Sequence, residues 1–398
     1  MVHRALRVLS PTSSLTGVPD DVQRFRAAHV VTPGGVLDDA VVEVRGDRVV
    51  AVHPNGGDVR AERTGGWVVP GFVDTHVHGG GGHDYASADA DEILGARDFH
   101  ARHGTTTTFA SLVTASLDDL AAQLDVLADL VEDGHLAGVH LEGPFLSTHQ
   151  PGAHQPDLLR APGPATVDRL VDAGRGALRM ITIAPELPGG LDAVRRFVDA
   201  GVRVAVGHTA ADDDTVARAL DAGADVGTHV FNAMRPIHHR RPGPVPRLLT
   251  DARVAAELIA DGFHVDEEVL RMALAAGGPA GVVLVTDAMV AAGMPDGAYT
   301  LGRLDVQVTD GQARLAGADG TPGAIAGSTL TTARAFALVA RLTGDLAAAA
   351  RFASTNAARH FGLDAGTVEP GGPADLCLVD DTGALQRVMR RGRWIEVA

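Results

Sequence analysis

The stretch Pro70-Gly71-Phe72-Val73-Asp74-Thr75-His76-Val77-His78-Gly79 decides how the rest of the chain is read. It is an apolar run that gives out into polar residues, the pattern of a strand ending in a loop. Side chains on an extended segment alternate with period two, so His76 and His78 emerge on one face. Two imidazoles converging from one strand end are able to bind one divalent metal. Two structural histidines are the competing reading, and with 18 His in the chain most of them must be ordinary polar residues.

The same pattern recurs downstream. Apolar runs at 67–74, 106–111, 138–142, 180–185, 203–208, 225–229, 254–261 and 282–287 alternate with Ala-rich helical stretches such as 116–132, 190–200 and 213–222. Eight strand–helix units predict an α/β protein with a (β/α)8, TIM-like barrel, and such barrels carry their chemistry at the C-terminal ends of the strands.

Those ends hold the candidate ligands. Glu142 closes one run in His140-Leu141-Glu142-Gly143-Pro144-Phe145. His208 and His229 close two adjacent units in Val206-Gly207-His208-Thr209 and Gly227-Thr228-His229-Val230-Phe231-Asn232. Asp287 ends Leu284-Val285-Thr286-Asp287-Ala288, where a carboxylate is able to take a proton from a metal-activated water and return it to a leaving amine. A helix N-cap is the structural alternative for Asp287. His264, in Asp261-Gly262-Phe263-His264, stands at a further strand end and reads as a substrate contact.

Composition narrows the chemistry. The formal net charge is −16, which disfavours a general nucleic-acid binder. The chain contains no Lys, so all 34 basic residues are Arg. That excludes Schiff-base chemistry, a Walker-type phosphate loop and a carbamylated-lysine metal bridge. Cys377 is the single cysteine, so no intramolecular disulfide and no cysteine zinc site forms, and a reducing cytoplasm fits. No apolar run reaches transmembrane length, and no membrane association is expected. Arg235, Arg240 and Arg241 cluster in the loop after His229, an arrangement suited to phosphate, with a solvated basic loop as the alternative.

The two ends of the chain read differently from the middle. Segments 41–44 and 48–52 flank a turn at Arg45-Gly46-Asp47, and 374–380 with 388–397 form a second strand cluster. Residues 1–26 read as a poorly ordered extension, 27–70 with 361–398 as one small β-sandwich, and 71–360 as the barrel. Segments 299–308 and 313–315, around Asp310-Gly311, read as a hairpin inserted in the last barrel unit.

The motifs PGFVDTHVHG, HLEGPF, GHT, THVFNAM, DGFH and TDAM, in this order, with AGSTL at 326–330 and GTVEPGGPADLCLVD at 366–380, resemble the N-acetylglucosamine-6-phosphate deacetylases of the amidohydrolase superfamily. The resemblance runs from about residue 30 to the C-terminus, and HLEGPF with HVFNAM is its most specific part. It implies a barrel with a small β-sandwich built from both termini. It implies Glu142, His208 and His229 as ligands of the principal metal, His76 and His78 as the pair completing a second site, and Asp287 as catalytic acid/base. His264 matches a carbonyl-polarising histidine, His154, Asn232 and Ala233 match substrate contacts, and Arg240 matches a phosphate-binding arginine that reaches into the neighbouring subunit of a homodimer. The loop Arg235-Pro236-Ile237-His238-His239-Arg240-Arg241 is unusually basic, so Arg241 shares Arg240's candidacy.

The expected reaction is therefore hydrolysis of an acetamide on an amino-sugar phosphate, in amino-sugar catabolism, with one or two divalent metals. Zinc is favoured, and iron, manganese or cobalt is compatible with His and carboxylate donors. Three alternatives stand beside it. The substrate is the N-acetylgalactosamine epimer, or a cyclic amide, or the chain is a non-catalytic metal-binding or sugar-phosphate-binding protein.

Overall fold

The computed structural model describes residues 22–56, 60–317 and 321–398. Residues 1–21, most of the expected extension, lie outside the described residues; the first strand, Gln23–Thr32, begins within the 1–26 segment.

The middle of the chain is a parallel barrel. Strands and helices alternate as β1 (Phe72–Asp74), α1 (Ala90–Arg102), β2 (Thr105–Val113), α2 (Leu117–Glu132), β3 (Gly138–Glu142), α3 (Pro164–Ala173), β4 (Leu178–Ile183) and α4 (Gly190–Asp199). They continue as β5 (Arg203–Val206), α5 (Asp213–Asp221), β6 (Val226–Gly227), α6 (Val245–Thr250), β7 (Ala255–Ile259), α7 (Glu267–Gly281), β8 (Val282–Val285) and α8 (Thr332–Thr343). Each strand hydrogen-bonds to the next in sequence, from β1 to β8. The seam between β8 and β1 is closed at its C-terminal end by discrete bonds. Thr286 Oγ1 donates to Asp74 Oδ2 at 2.6 Å. Asp287 N donates to His76 O at 2.8 Å, and His78 N to Ala288 O at 2.7 Å. The segments that carry the candidate site thus also hold the barrel shut.

Local sequence explains the elements. In α2, Ser116 accepts from Asp119 N as the N-cap, and Leu120, Leu124 and Leu127 repeat at helical spacing and are fully buried against the barrel. Each such leucine contributes roughly 1.5–3 kcal/mol by leaving water. A strand such as Val282–Val285 is wholly apolar because helices cover the barrel outside and side chains fill its centre.

The two ends of the chain pair, as expected, into one small β-module, an eight-stranded sheet. Trp67–Pro70 lies in it, paired antiparallel with Leu376–Val379 and parallel with the first strand, so the run expected over 67–74 is two strands. The chain crosses into the barrel at Gly71, where a Cβ would meet Thr106 Oγ1 at 2.3 Å. The sheet packs around Phe25, Val42, Val68, Leu376 and Met389, and its edge strand Arg48–His53 is bonded back to the segment before Leu376–Val379, where Val49 N donates to Gly372 O and Ala374 N to Asp47 O.

The insertion between β8 and α8 is larger than the expected hairpin. It is a four-stranded antiparallel sheet, Gly297–Leu301, Leu304–Thr309, Gln312–Ala316 and Pro322–Ile325. The run expected over 299–308 is split by a tight turn at Gly302, whose φ is 57°. Its residues Leu301 and Ile325 reach the cavity at the barrel mouth.

Candidate metal centre

Glu142 is the last residue of β3, but three other candidates lie beyond their ladders. β5 stops at Val206, β6 at Gly227 and β8 at Val285, short of the ends expected at 208, 229 and 287. The reason is conformational: His208, His229 and Asp287 have φ of 46°, 24° and 50°, left-handed values incompatible with a continuing strand. Such residues cost about 1–3 kcal/mol each and persist where the surroundings fix them. The β5 and β6 ends also approach closely, since a Cβ on Gly207 would lie 2.5 Å from Thr228 Cβ. His76 and His78 follow β1 in a segment kept extended by hydrogen bonds from Val77 N to Ser111 Oγ and from Ser111 N to Val77 O. The expected period-two convergence holds there.

Two groups of donors result. In the first, His208 Nε2 and His229 Nε2 lie 3.0 and 2.9 Å from Glu142 Oε1, and 3.1 Å from each other. In the second, His76 Nε2 and His78 Nε2 are 3.3 Å apart. Glu142 Oε2 lies 3.2 Å from His78 Nε2, and Asp287 Oδ1 lies 3.2 Å from the same nitrogen. Glu142 therefore faces both groups, Oε1 toward His208 and His229 and 3.5 Å from His76 Nε2, Oε2 toward His78, and all these side chains are buried.

The donor set fits divalent metals. Ligands bound tetrahedrally at about 2.0–2.1 Å stand about 3.4 Å apart, close to the separations seen. Imidazole nitrogens aimed at one another need a shared cation or a proton between them. The rings are also turned for metal binding: His78 Nδ1 is 3.1 Å from Ser111 O and His208 Nδ1 is 3.1 Å from Gln150 O, which places those protons on Nδ1 and the lone pairs on Nε2.

Electrostatics point the same way. Burial alone would push the Glu142 carboxyl up, but His76, His154 and His208 hold it well below its ordinary value. Burial likewise opposes ionisation of Asp287, and His76 and His78 overcome it, holding Asp287 at about 2. Burial would lower His78, yet Asp287 and Glu142 raise it to about 9. The carboxylates thus hold positive charge at the place where cations would sit.

The outer wall of the site is a cavity of about 320 Å³. His154, Asn232, Ala233 and His264 line it together with Glu142, His208, His229 and Asp287. His154 Nδ1 is 2.9 Å from Thr114 Oγ1 and its Nε2 is 3.4 Å from Glu142 Oε2, so it touches the donor cluster as well. Burial pushes His154 down to about 4, which leaves it neutral. His264 Nδ1 is 2.6 Å from Asp261 Oδ2, with Nε2 facing away from that pair. Asn232 Nδ2 donates to His229 O at 3.1 Å. Arg240 and Arg241 are exposed and do not line the cavity; among the described residues its lining contains no arginine.

Sequence reasoning missed three buried polar groups. Glu257, inside β7, lies 3.0 Å from His76 Nδ1. Asp74 ties β1 to Thr286. His140 links Ser111 Oγ and Thr182 Oγ1 on the two neighbouring strands, at 3.0 and 2.9 Å. The signal for Glu257 was one acidic residue in the apolar run Ala255-Ala256-Glu257-Leu258-Ile259.

The Amidohydrolase family model matches residues 67–395. The chain is 37% identical over 377 residues to an N-acetylgalactosamine-6-phosphate deacetylase of Escherichia coli O157:H7, covering 93% of this chain and 98% of that protein. It is 34% identical to an N-acetylglucosamine-6-phosphate deacetylase of Lysinibacillus sphaericus, covering 86% of this chain and 88% of that protein. The solved structure of an Asp→Ala mutant N-acetyl-D-glucosamine-6-phosphate deacetylase from Mycobacterium smegmatis, in complex with N-acetyl-D-glucosamine-6-phosphate, superposes with a TM-score of 0.90. That match is 47% identical and covers 94% of this chain and 99% of the other.

Proposed function

Because the chain belongs to the amidohydrolase family, we propose that its cavity takes N-acetylglucosamine 6-phosphate and hydrolyses its acetamide to acetate and glucosamine 6-phosphate. The observation that carries this reading is the Glu142 carboxylate shared between two histidine pairs, with Asp287 beside them and the cavity directly in front. Similarity to deacetylases over nearly the whole chain supports the substrate class.

Glu142, His208 and His229 would hold one divalent metal, and His76, His78 and Glu142 beside Asp287 a second. When bound, such ions polarise an acyl oxygen and lower the pKa of a water toward neutrality. Zinc suits these donors, and iron, manganese and cobalt are accommodated by the same set.

The chain's own residues supply the rest. Asp287 is ionised and accepts the proton of the attacking water at Oδ1 or Oδ2, then delivers it to the departing sugar amine. His264, oriented by the Asp261 carboxylate at its Nδ1, polarises the acetyl oxygen from its Nε2 side as negative charge develops there. His154, Asn232 and the Ala233 backbone orient the sugar. The arginine-free lining favours a phosphate held from outside the protomer, and Arg240 on its exposed loop is suited to reach a neighbouring site in a homodimer. Among the described residues no helix is long and apolar enough to cross a membrane. A cytoplasmic location completes the reading.

A second reading is favoured by a specific observation, the likeness to a galactosamine-type deacetylase. It keeps the mechanism and changes the configuration read at C4. Acetate release measured with both epimers and with unphosphorylated N-acetylglucosamine separates the two and tests the phosphate requirement.

A further inference from the structure

We infer that Glu257 is a positioning residue that sets the tautomer and ring orientation of His76, and through it whether the second histidine pair holds a metal. The inference rests on the metal-dependent reading above and adds a residue outside every proposed ligand set.

Glu257 lies in the middle of β7 and is 1% exposed. A carboxylate buried this deeply is costly unless its oxygens are bonded. Its partners are specific: Oε2 is 3.0 Å from His76 Nδ1 and 3.3 Å from His229 N, and Oε1 is 3.5 Å from Thr75 Oγ1. Among the described residues, His76 is its one ion-pair partner.

An ionised carboxylate only accepts hydrogen bonds. The contact with Glu257 therefore fixes a proton on His76 Nδ1 and leaves Nε2 as the atom facing His78, Glu142 and Asp287. His78 and His208 achieve the same orientation with main-chain oxygens, Ser111 O and Gln150 O. His76 alone of these three is turned by a full negative charge, which makes the ring a stronger donor. Charge balance gives a second reason. With Glu142 and Asp287, Glu257 brings a third negative charge to a buried site that would receive four positive charges from two divalent ions. Removing it leaves half of that positive charge uncompensated, and the second ion becomes the harder to hold.

The test uses the full chain and reads metal rather than turnover. Wild type, Glu257→Gln and Glu257→Leu are loaded with Co2+, equilibrated against graded chelator, and analysed for metal per subunit and for visible Co2+ absorption. Wild type is expected to hold two equivalents. Glu257→Leu is expected to keep the first and bind the second 10–100-fold more weakly, with loss of its visible bands. Glu257→Gln keeps an acceptor for Nδ1–H but loses the charge, and is expected to fall between, with an unchanged thermal midpoint for the apoprotein. A wild type that holds only one equivalent, variants that hold two as tightly as wild type, or loss of both equivalents together would each overturn the inference. None of these results depends on acetate release, so failure of the deacetylase reading is seen separately.

Discussion

Asp287 Oδ1 lies 3.2 Å from His78 Nε2, while the Asp287 amide donates to the carbonyl of His76 at 2.8 Å. The proposed base is thus fixed to the histidine pair twice, once through its side chain and once through its backbone. Its left-handed φ of 50° is the conformation that permits both. A group fixed this firmly is suited to moving a proton at one place, and its substitution should leave the surrounding donors standing.

Asp287→Asn is expected to retain the metal of the first group and lose turnover by about 10²–10⁴-fold. Metal analysis and acetate release on the same sample check it. Near-normal turnover in this variant would remove Asp287 from the base role.

Glu142→Ala should act differently, because its carboxylate faces both donor groups. Metal content is expected to fall for both groups together, with turnover lost alongside. Retention of one tight equivalent would mean that the carboxylate is not shared. The contrast with Glu257→Leu, expected to affect only the second equivalent, makes the two variants a matched pair.

Arg240→Ala is expected to raise KM for the phosphorylated sugar about 10–100-fold, the worth of a charge-assisted hydrogen bond, with little change in KM for the unphosphorylated one. If Arg240 acts across a dimer, mixing Arg240→Ala subunits with Asp287→Asn subunits should restore, at sites that pair an intact Asp287 with an intact Arg240, a low KM that the Arg240→Ala homodimer lacks and a turnover that the Asp287→Asn homodimer lacks. No recovery on mixing would confine each site to one protomer. An unchanged KM in Arg240→Ala, with the loss appearing in Arg241→Ala, would move the role by one residue.

His100 provides a pH prediction away from the site. It is buried in α1, its Nε2 is 2.9 Å from Gly79 O, and among the described residues its Nδ1 has no hydrogen-bond partner. Burial pushes it down to about 4. Above the unfolded-state value near 6.5 the ring is neutral in both states and contributes no pH dependence. As pH falls from about 6.5 to about 4 only the unfolded chain takes up the proton, so stability is lost across that window, by about 3 kcal/mol in total. Denaturant unfolding of metal-loaded wild type and His100→Gln at stepped pH should show a smaller acid loss in the variant. Parallel curves would contradict it.

The barrel was legible because its signal is repeated. Eight apolar runs ending in polar residues, spaced by helices, overdetermine a (β/α)8 order even with individual strand ends misjudged by two residues. Those ends were misjudged at His208, His229 and Asp287 because a left-handed residue after a strand leaves no mark in hydrophobicity. The donors converged as expected from the strand-end rule and from the motif resemblance. Glu257 escaped because a single acidic residue in AAELI does not announce which face it takes, and its meaning depends on β1, which is distant in sequence. The inserted sheet was read as one hairpin because the turn at Gly302-Arg303 lacks the Asn-Gly or Asp-Gly signature that marked Asp310-Gly311. Among the described residues the cavity lining contains no arginine, so the basic loop after His229 did not show where it would act.

The most direct test of the central claim is acetate release by metal-loaded protein from N-acetylglucosamine 6-phosphate, with the galacto epimer and unphosphorylated N-acetylglucosamine in parallel. The account predicts rapid release from the phosphorylated gluco sugar and far slower release from the unphosphorylated one. No release from any of the three, with metal shown to be bound, would contradict it.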